Sequence, residues 1–386
     1  MNIGVIGVGR LGICFALLLE KAGHQVLGAD IRANYVANLN RRQIITNEPQ
    51  VADMLAASTN FTATTDTRQV IEQNDVIYIM VATPSLADGS YDVSAVWRVI
   101  EDVKECDFDL TGKVLVVGCT TNPGDCAQIQ HELAGQNVKV LYNPEFIAQG
   151  SIIRDLQQAD MVLIGGNDQE VMDNYSRIYY DIQTTTPRIH TMSLTAAELV
   201  KIGVNCFLTT KISYANMLGE VLIRSGLEKD VDRALAAVGA DERVGTKYLR
   251  YGFGYGGPCL PRDNRAFSHY AERLGLGFPL GKIVDEFNLK HTEFLTQSVI
   301  QKNTQQLPFY MSYISYKKNT DIFEESQQLR LCYNLLNQGN TVYVEPSSLI
   351  PSALIDELTQ YFGDRIQLKT ASWLAEQNIQ VFNINL

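Results

Sequence analysis

The first twelve residues restrict this chain more than any other stretch. Asn2-Ile3-Gly4-Val5-Ile6 is a short apolar run that ends directly in Gly7-Val8-Gly9-Arg10-Leu11-Gly12, and a helix-like segment follows from Leu11 to Ala22. A strand that turns through glycines into a helix opens a βαβ unit. Gly7 permits the tight turn, Gly9 lets the backbone approach a pyrophosphate, and Gly12 lets helix and strand pack closely. The helix N-terminus supplies free N–H groups and the positive end of its dipole, which makes Arg10 and Leu11 candidate contacts beside the three glycines. A second strand-like run, Gln25 to Asp30, ends on a carboxylate 18 residues after Gly12. A carboxylate there accepts from a ribose 2′-OH and repels a 2′-phosphate, which favours NAD over NADP. Arg32, two residues on, is placed to weaken that preference.

The alternation continues. Val76–Val81, Val114–Gly118, Val138–Tyr142 and Met161–Gly165 read as strands, with helix-like segments between most of them. That predicts a Rossmann-type, parallel, doubly wound α/β domain over residues 1–190. From Ser193 to Ser225 the pattern becomes one long helix, with Ala197, Val200, Val204, Leu208, Ala215, Leu218 and Leu222 at steps of three, four or seven. Thr195 followed by Glu198 fits a capping box at its start. The middle segment, 191–290, reads as helical. The remainder, 291–386, alternates again, with a strand at Phe309–Tyr313, a helix near Gln327–Gln338, a strand at Thr341–Glu345 and a strand-like run at Ile379–Ile384, and forms a small second α/β domain.

Composition removes several function classes. The chain has 386 residues, 46% hydrophobic and 19% charged, enough for more than one core. A net charge of −11 and the lack of a Lys/Arg stripe argue against nucleic acid as a partner; Arg41-Arg42 reads as a solvated helix end. Seven scattered cysteines without a CxxC pair read as reduced thiols, and five scattered histidines offer no metal site. No apolar run approaches the roughly 18 residues a membrane span needs, and the first strand starts without a leader, so a cytoplasmic protein is expected.

Four segments carry polar residues that packing alone does not require. Val81-Ala82-Thr83-Pro84, with Asp88-Gly89, follows one strand; Cys119-Thr120-Thr121-Asn122-Pro123-Gly124 follows another; Tyr142-Asn143-Pro144-Glu145-Phe146-Ile147 follows a third. Loops after parallel strands are where α/β sheets bind ligands. The fourth is Gly252-Phe253-Gly254-Tyr255-Gly256-Gly257-Pro258-Cys259-Leu260-Pro261-Arg262-Asp263, a tight loop that presents a thiol. A free cysteine is more often a small buried hydrophobe, a lone Lys201 or Asn205 more often a solvated helix face, and Glu145 after a proline could be a helix-start carboxylate. Their joint occurrence outweighs these readings.

The order GxGxxG, VxTP…DG, TxxPG, NPEF…GS…D, AELxKxxxN, GxGxGGxCLPxD resembles the UDP-glucose/GDP-mannose dehydrogenase family from Met1 to about Asn288, and more weakly through Tyr316-Lys317-Lys318-Asn319-Thr320. The resemblance implies an N-terminal NAD domain, a central dimerisation domain and a C-terminal domain that helps bind the nucleotide. It implies a C6 hydroxymethyl group oxidised to a carboxylate with two NAD per sugar. Cys259 would capture the intermediate aldehyde as a thiohemiacetal, later a thioester. Lys201 would stabilise oxyanions and favour the Cys259 thiolate. Asn205 lies one helical turn further along the same face. Asp263 would orient water or accept a proton, and Glu145 would act as base in thioester hydrolysis with Thr120 positioning the water. Thr83, Pro84, Thr120 and Lys317 are further candidate cofactor contacts. Glu145, Phe146, Ile147, Lys201, Asn205, Arg243, Tyr248 and Gly256 are candidate substrate contacts, with Arg243 reaching the sugar of a partner subunit in a homodimer.

The chain also departs from the family. Glu324 stands where an arginine is usual, a charge reversal where a cofactor phosphate is expected, and Gln149 replaces a common Glu. The C-terminal α/β domain is read as shortened. The Tyr142–Ile164 segment resembles UDP-hexose or GDP-mannose enzymes more than UDP-N-acetylmannosamine enzymes, and a UDP-hexose, UDP-glucose foremost, is the expected substrate. Two alternatives remain at this point: a two-electron hydroxyacid-type dehydrogenase, which leaves Cys259 and its glycine loop without a role, and a non-catalytic nucleotide-sugar-binding relative, suggested by Glu324.

Overall fold

Ile3 and Val5 enter one apolar cluster and Ile6 another, as the two-residue period of a strand requires when both faces are covered. Tyr78 repeats the pattern against Ile77 and Ile79. Each such fully buried side chain contributes about 1.5–3 kcal/mol, so these short runs are strands by burial rather than by length. In the computed structural model, which describes residues 1–147 and 149–384, the chain divides into two units, Met1–Ile202 and Gly203–Leu386.

The first unit holds eight strands: β1 (Asn2–Ile6), β2 (Gln25–Ala29), β3 (Phe61–Thr64), β4 (Val76–Ile79), β5 (Val114–Val117), β6 (Lys139–Tyr142), β7 (Val162–Gly165) and β8 (Ile189–Met192). Their order in the sheet is β3-β2-β1-β4-β5-β6-β7-β8. The order reverses between β1 and β4, which opens a crevice at the carboxyl ends of those strands. The expectation of a wholly parallel sheet needs one correction. β6 and β7 run antiparallel and meet at a single register pair, Tyr142↔Gly165, while β7 and β8 are parallel to each other. Strand direction depends on the connection between strands, not on the pattern within them, so the sequence carried no sign of it.

A helix of 31 residues, Leu194–Arg224, runs from the first unit into the second. Because it starts at Leu194, Thr195 lies inside it and the expected capping box does not form. Glu198 turns away from the helix end and binds another loop, described below. The second unit continues with helices Val231–Ala240, Leu260–Arg273 and Leu280–Lys302, the last running well past residue 290. A four-stranded parallel sheet follows, made of β9 (Phe309–Met311), β10 (Val342–Val344), β11 (Ile366–Leu368) and β12 (Phe382–Asn383) in the order β11-β10-β9-β12. Phe309, Met311, Leu331, Leu335, Val342, Val344 and Leu358 form its core. Among the described residues no helix is long and apolar enough to cross a membrane.

Candidate active site

The loop after β1 has the geometry of a phosphate cradle. Gly7 has φ +96°, and a Cβ there would lie 2.6 Å from the Met80 carbonyl oxygen just beyond β4. A Cβ on Gly12 would sit 2.0 Å from the Gly7 oxygen, so only glycine lets the helix Arg10–Lys21 pack on the turn. Gly9 differs: a Cβ there would meet nothing within 4 Å. Gly9 is also the N-cap of that helix, and no side chain caps it. The open space at this helix N-terminus, with Leu11 half-buried and Arg10 exposed, fits a pyrophosphate. Arg10 Nη1 donates to Gln149 Oε1 at 2.8 Å, so the residue that departs from the family's Glu still has a role here.

Asp30, just after β2, is clamped by Arg32, whose Nε and Nη2 each donate to one carboxylate oxygen at 2.8 Å. Burial pushes the Asp30 carboxyl up, but the hydrogen bonds and charge of Arg32 outweigh it and hold the group below the usual carboxylate range. The guanidinium also lies 4.2 Å over the Tyr35 ring. Thr83 is buried in the loop after β4, and the exposed Pro84 accepts from the Asp92 N–H at 2.8 Å.

The loop after β5 is held by Glu198. Its fully buried carboxylate accepts from Thr121 Oγ1 at 2.8 Å and from the N–H groups of Gly124 and Cys126 at 2.6 and 2.9 Å. Burial pushes this carboxyl up, against the pull of those hydrogen bonds. Thr120, half-buried, precedes the anchored Thr121. Sequence reasoning assigned Glu198 to a local cap. Its real partners lie more than 70 positions away, and nothing local announced them.

After β6, Glu145 sits in a loop rather than at a helix start. Lys201 Nζ donates to the Glu145 backbone oxygen at 2.7 Å and lies 4.8 Å from the centre of the Phe146 ring. The Tyr179 hydroxyl lies within hydrogen-bond reach of Glu145 Oε1, at 3.1 Å. Loss of hydration pushes the Glu145 carboxyl up to about 7, with the Tyr179 hydroxyl and the Lys201 ammonium opposing the rise. Lys201 is thus no solvated surface lysine, and Glu145 is a carboxyl group poised to exchange a proton near neutrality. Ile147 follows, half-buried against the same apolar cluster as β1. Glu48, also missed from sequence, accepts from the Gly150 N–H at 2.7 Å and so fixes the far end of this loop.

In the second unit, Cys259 is the exposed cysteine, the chain's other six being buried or half-buried. It is the N-cap of helix Leu260–Arg273, with Pro261 in the first turn. The positive end of the helix dipole therefore favours an anion at its sulfur. Cys206, by contrast, is pushed up to about 12 by burial and the nearby Asp263 charge, which leaves it an inert thiol. Asp263 is 1% exposed, and its N–H donates to the Cys259 oxygen at 2.9 Å. Asn205 Nδ2 donates to its Oδ2 at 2.6 Å, while Arg262 Nε approaches Oδ1 at 3.4 Å.

The cysteine loop is gripped along its length. Asn216 accepts from the Gly252 N–H at 3.0 Å, and His291 Nε2 pairs with the Gly252 oxygen at 2.7 Å. Asn288 bonds both the N–H and the C=O of Tyr255 at 2.9 Å. A Cβ on Gly254 would fall 2.0 Å from Asn288 Oδ1, and one on Gly256 2.4 Å from the Glu325 oxygen. Gly257 N–H donates to the Glu324 oxygen at 3.1 Å, so Glu324 contributes backbone here while its side chain is exposed. Lys317 is likewise exposed and accepts through its carbonyl from Ser315 and Thr320 at 2.8 Å. Arg243 is 88% exposed and forms a bidentate pair with Asp241, and Tyr248 is exposed with φ +61°.

A Rossmann-type sheet with an open glycine turn, an acidic residue after β2 and an exposed, helix-capping thiol define a dinucleotide-dependent oxidoreductase. The NAD binding domain of the UDP-glucose/GDP-mannose dehydrogenase family matches residues 1–183, and that family's central domain matches residues 195–290. The chain belongs to this family. It is 28% identical to the UDP-glucose 6-dehydrogenase TuaD of Bacillus subtilis, over 94% of this chain and 80% of that one. It is 29% identical to the UDP-glucose 6-dehydrogenase of Pseudomonas aeruginosa, over 88% and 77%. Among solved structures, a UDP-glucose dehydrogenase from Pyrobaculum islandicum superposes with a TM-score of 0.84 at 26% identity, covering 99% of this chain and 89% of that one. NAD is its cofactor and a nucleotide sugar its class of substrate.

Proposed function

We propose that this protein oxidises a UDP-hexose, UDP-glucose foremost, at C6 to the uronate, with Cys259 as nucleophile. The observation that carries this is the exposed Cys259 thiol at the N-terminus of helix Leu260–Arg273, with the buried Asp263, held by the half-buried Asn205, one turn along that helix. A two-electron hydroxyacid enzyme has no use for such a thiol, and a non-catalytic relative has no need to keep it exposed.

Gly7, Gly9, Arg10, Leu11, Gly12, Asp30, Thr83, Pro84 and Thr120 would hold NAD, which when bound accepts one hydride in each oxidation. The C6 hydroxymethyl carbon first loses a hydride and its hydroxyl a proton, giving the aldehyde. The Cys259 sulfur bonds to that carbon, making a thiohemiacetal whose C6–H can leave as a second hydride to a second NAD. Lys201 stabilises the oxyanions that develop. Loss of that hydride and the hydroxyl proton gives a thioester. Glu145 then takes a proton from a water oriented by Thr120; the water oxygen bonds to C6, the C–S bond breaks, and the thiol is regained as the uronate leaves. Asp263, held by Asn205, orients water or takes up a proton beside the sulfur. Phe146, Ile147, Tyr248 and Gly256 would contact the sugar nucleotide. In this division of labour, residues 1–190 bind NAD, 191–290 supply the thiol and the dimer contact, and 291–386, with Lys317, bind the nucleotide.

The test is NADH formation against a panel of nucleotide sugars. Two NADH per UDP-glucose consumed is expected. One NADH per sugar, or none with any sugar, overturns the four-electron assignment.

A homodimer is part of the proposal. Phe207, Tyr214, Met217 and Val221 on the long helix are 66%, 48%, 44% and 54% exposed and fall at steps of seven, three and four, one continuous apolar face. Arg243, exposed in its own chain, would serve the partner's substrate. Mixing inactive Arg243→Ala and Cys259→Ala proteins should then restore activity; no recovery in proven heterodimers would place Arg243 outside the partner's site.

A further inference from the structure

Behind Glu145 lies a buried polar cluster that the reaction as written does not use. Asn143, 1% exposed, donates through Nδ2 to the Leu163 oxygen at 2.9 Å. That bond fixes the amide, so Oδ1 must face the other way, where the hydroxyls of both Tyr175 and Tyr179 donate to it. The Tyr179 hydroxyl also lies 3.1 Å from Glu145 Oε1. A phenol has one proton, so Tyr179 cannot donate to Asn143 and Glu145 together. Phe15, Tyr78, Tyr175 and Tyr179 pack in series with centroid spacings of 4.8, 6.0 and 6.2 Å, which opposes a shift of the rings. Rotation of the O–H bond meets no such resistance.

We propose that Tyr179 is a positioning residue for Glu145, its hydroxyl turning between Glu145 and Asn143 as the carboxyl group loses and regains a proton. With Glu145 ionised, Tyr179 donates to Oε1, and Asn143 Oδ1 keeps the Tyr175 hydrogen bond. Once Glu145 has taken a proton from water, its O–H donates to the Tyr179 oxygen, and the Tyr179 hydrogen turns to Asn143. In both states Tyr179, Asn143 Oδ1 and Glu145 Oε1 keep a hydrogen-bond partner, so the base can cycle without moving a heavy atom. The ionisable groups around the carboxyl are Tyr78, Tyr175, Tyr179 and Lys201. Burial pushes all three tyrosines far above neutrality, so Glu145 is the cluster member that titrates near pH 7. The inference rests on Glu145 being the base, and the experiment separates the two claims.

The acid limb of the kcat–pH profile and the infrared C=O band of the protonated carboxyl are followed together; the band needs no turnover. Glu145→Gln should remove both, and a limb that survives there refutes the base assignment whatever Tyr179 does. In Tyr179→Phe, both titrations should move up by roughly one pH unit or more, because a donor to the ionised form is gone. A fluorinated tyrosine at 179 keeps the shape and sharpens the donor, so both should move down. Titrations that stay in place in both variants, while Glu145→Gln abolishes them, overturn the proposal.

Discussion

Two glycine-rich loops stand apart in this chain, and they use glycine to opposite ends. In Gly7–Gly12 the middle glycine faces open space, and the missing side chain makes room for something that is not protein. In Gly252–Gly257 the missing side chains make room for the protein itself: Asn288 beside Gly254, the Glu325 backbone against Gly256 and the Tyr316 ring against Gly257. The first loop is a receptacle. The second is a compressed mount that fixes Cys259 at the start of a helix. A glycine pattern thus announces a special loop without saying whether ligand or chain fills the space.

The sharpest test of this contrast is Cys259→Ser. It should abolish uronate formation, since serine is a far poorer nucleophile at neutral pH, yet leave NAD binding by calorimetry unchanged. Unaltered steady-state uronate production would sink the covalent route. Next come paired substitutions in the two loops. Gly9→Val overfills the receptacle; overpacking typically costs about 1–3 kcal/mol, which weakens NAD binding by roughly ten- to a hundredfold. The thermal midpoint without NAD should change little. Gly254→Ala should do the reverse, lowering stability by about 1–3 kcal/mol through displaced Asn288 hydrogen bonds while NAD affinity holds. The same phenotype from both variants would erase the distinction.

The smallest effect concerns Asp30. The protein should prefer NAD over NADP by at least about tenfold in kcat/KM, because the carboxylate opposes a 2′-phosphate. Asp30→Asn removes that charge and releases Arg32 from its clamp, so the preference should collapse. Comparable kcat/KM for both cofactors in the unaltered protein would show that Arg32 already governs.

Much of this was legible in the sequence because it is written locally. β1, β4, β5 and β6 are near-continuous apolar runs, as strands covered on both faces must be. The thiol loop stood out through its glycines and prolines. β3 and β8 did not: they are edge strands, and Phe-Thr-Ala-Thr and Ile-His-Thr-Met bury too little to form a run. Glu198 was misread because a capping box is a spacing of three, and its partners at 121, 124 and 126 are joined to it only by the fold. Tyr179 was invisible for the same reason, since a tyrosine in a helix is ordinary until its hydroxyl is seen beside a carboxylate.

The antiparallel junction between β6 and β7 has a consequence for how the sheet comes apart. Neighbouring strand pairs are joined over four residues, this one over a single pair. The sheet is continuous in outline but perforated along one line, and sub-global opening follows the line with fewest rungs. Asn143 straddles that line through its bond to the Leu163 oxygen, acting as a side-chain rung where the backbone offers almost none. The same amide receives the tyrosine hydroxyls behind Glu145. Cooperativity of unfolding and the setting of the Glu145 carboxyl therefore meet at one side chain, and opening of the sheet along this line reaches that carboxyl directly.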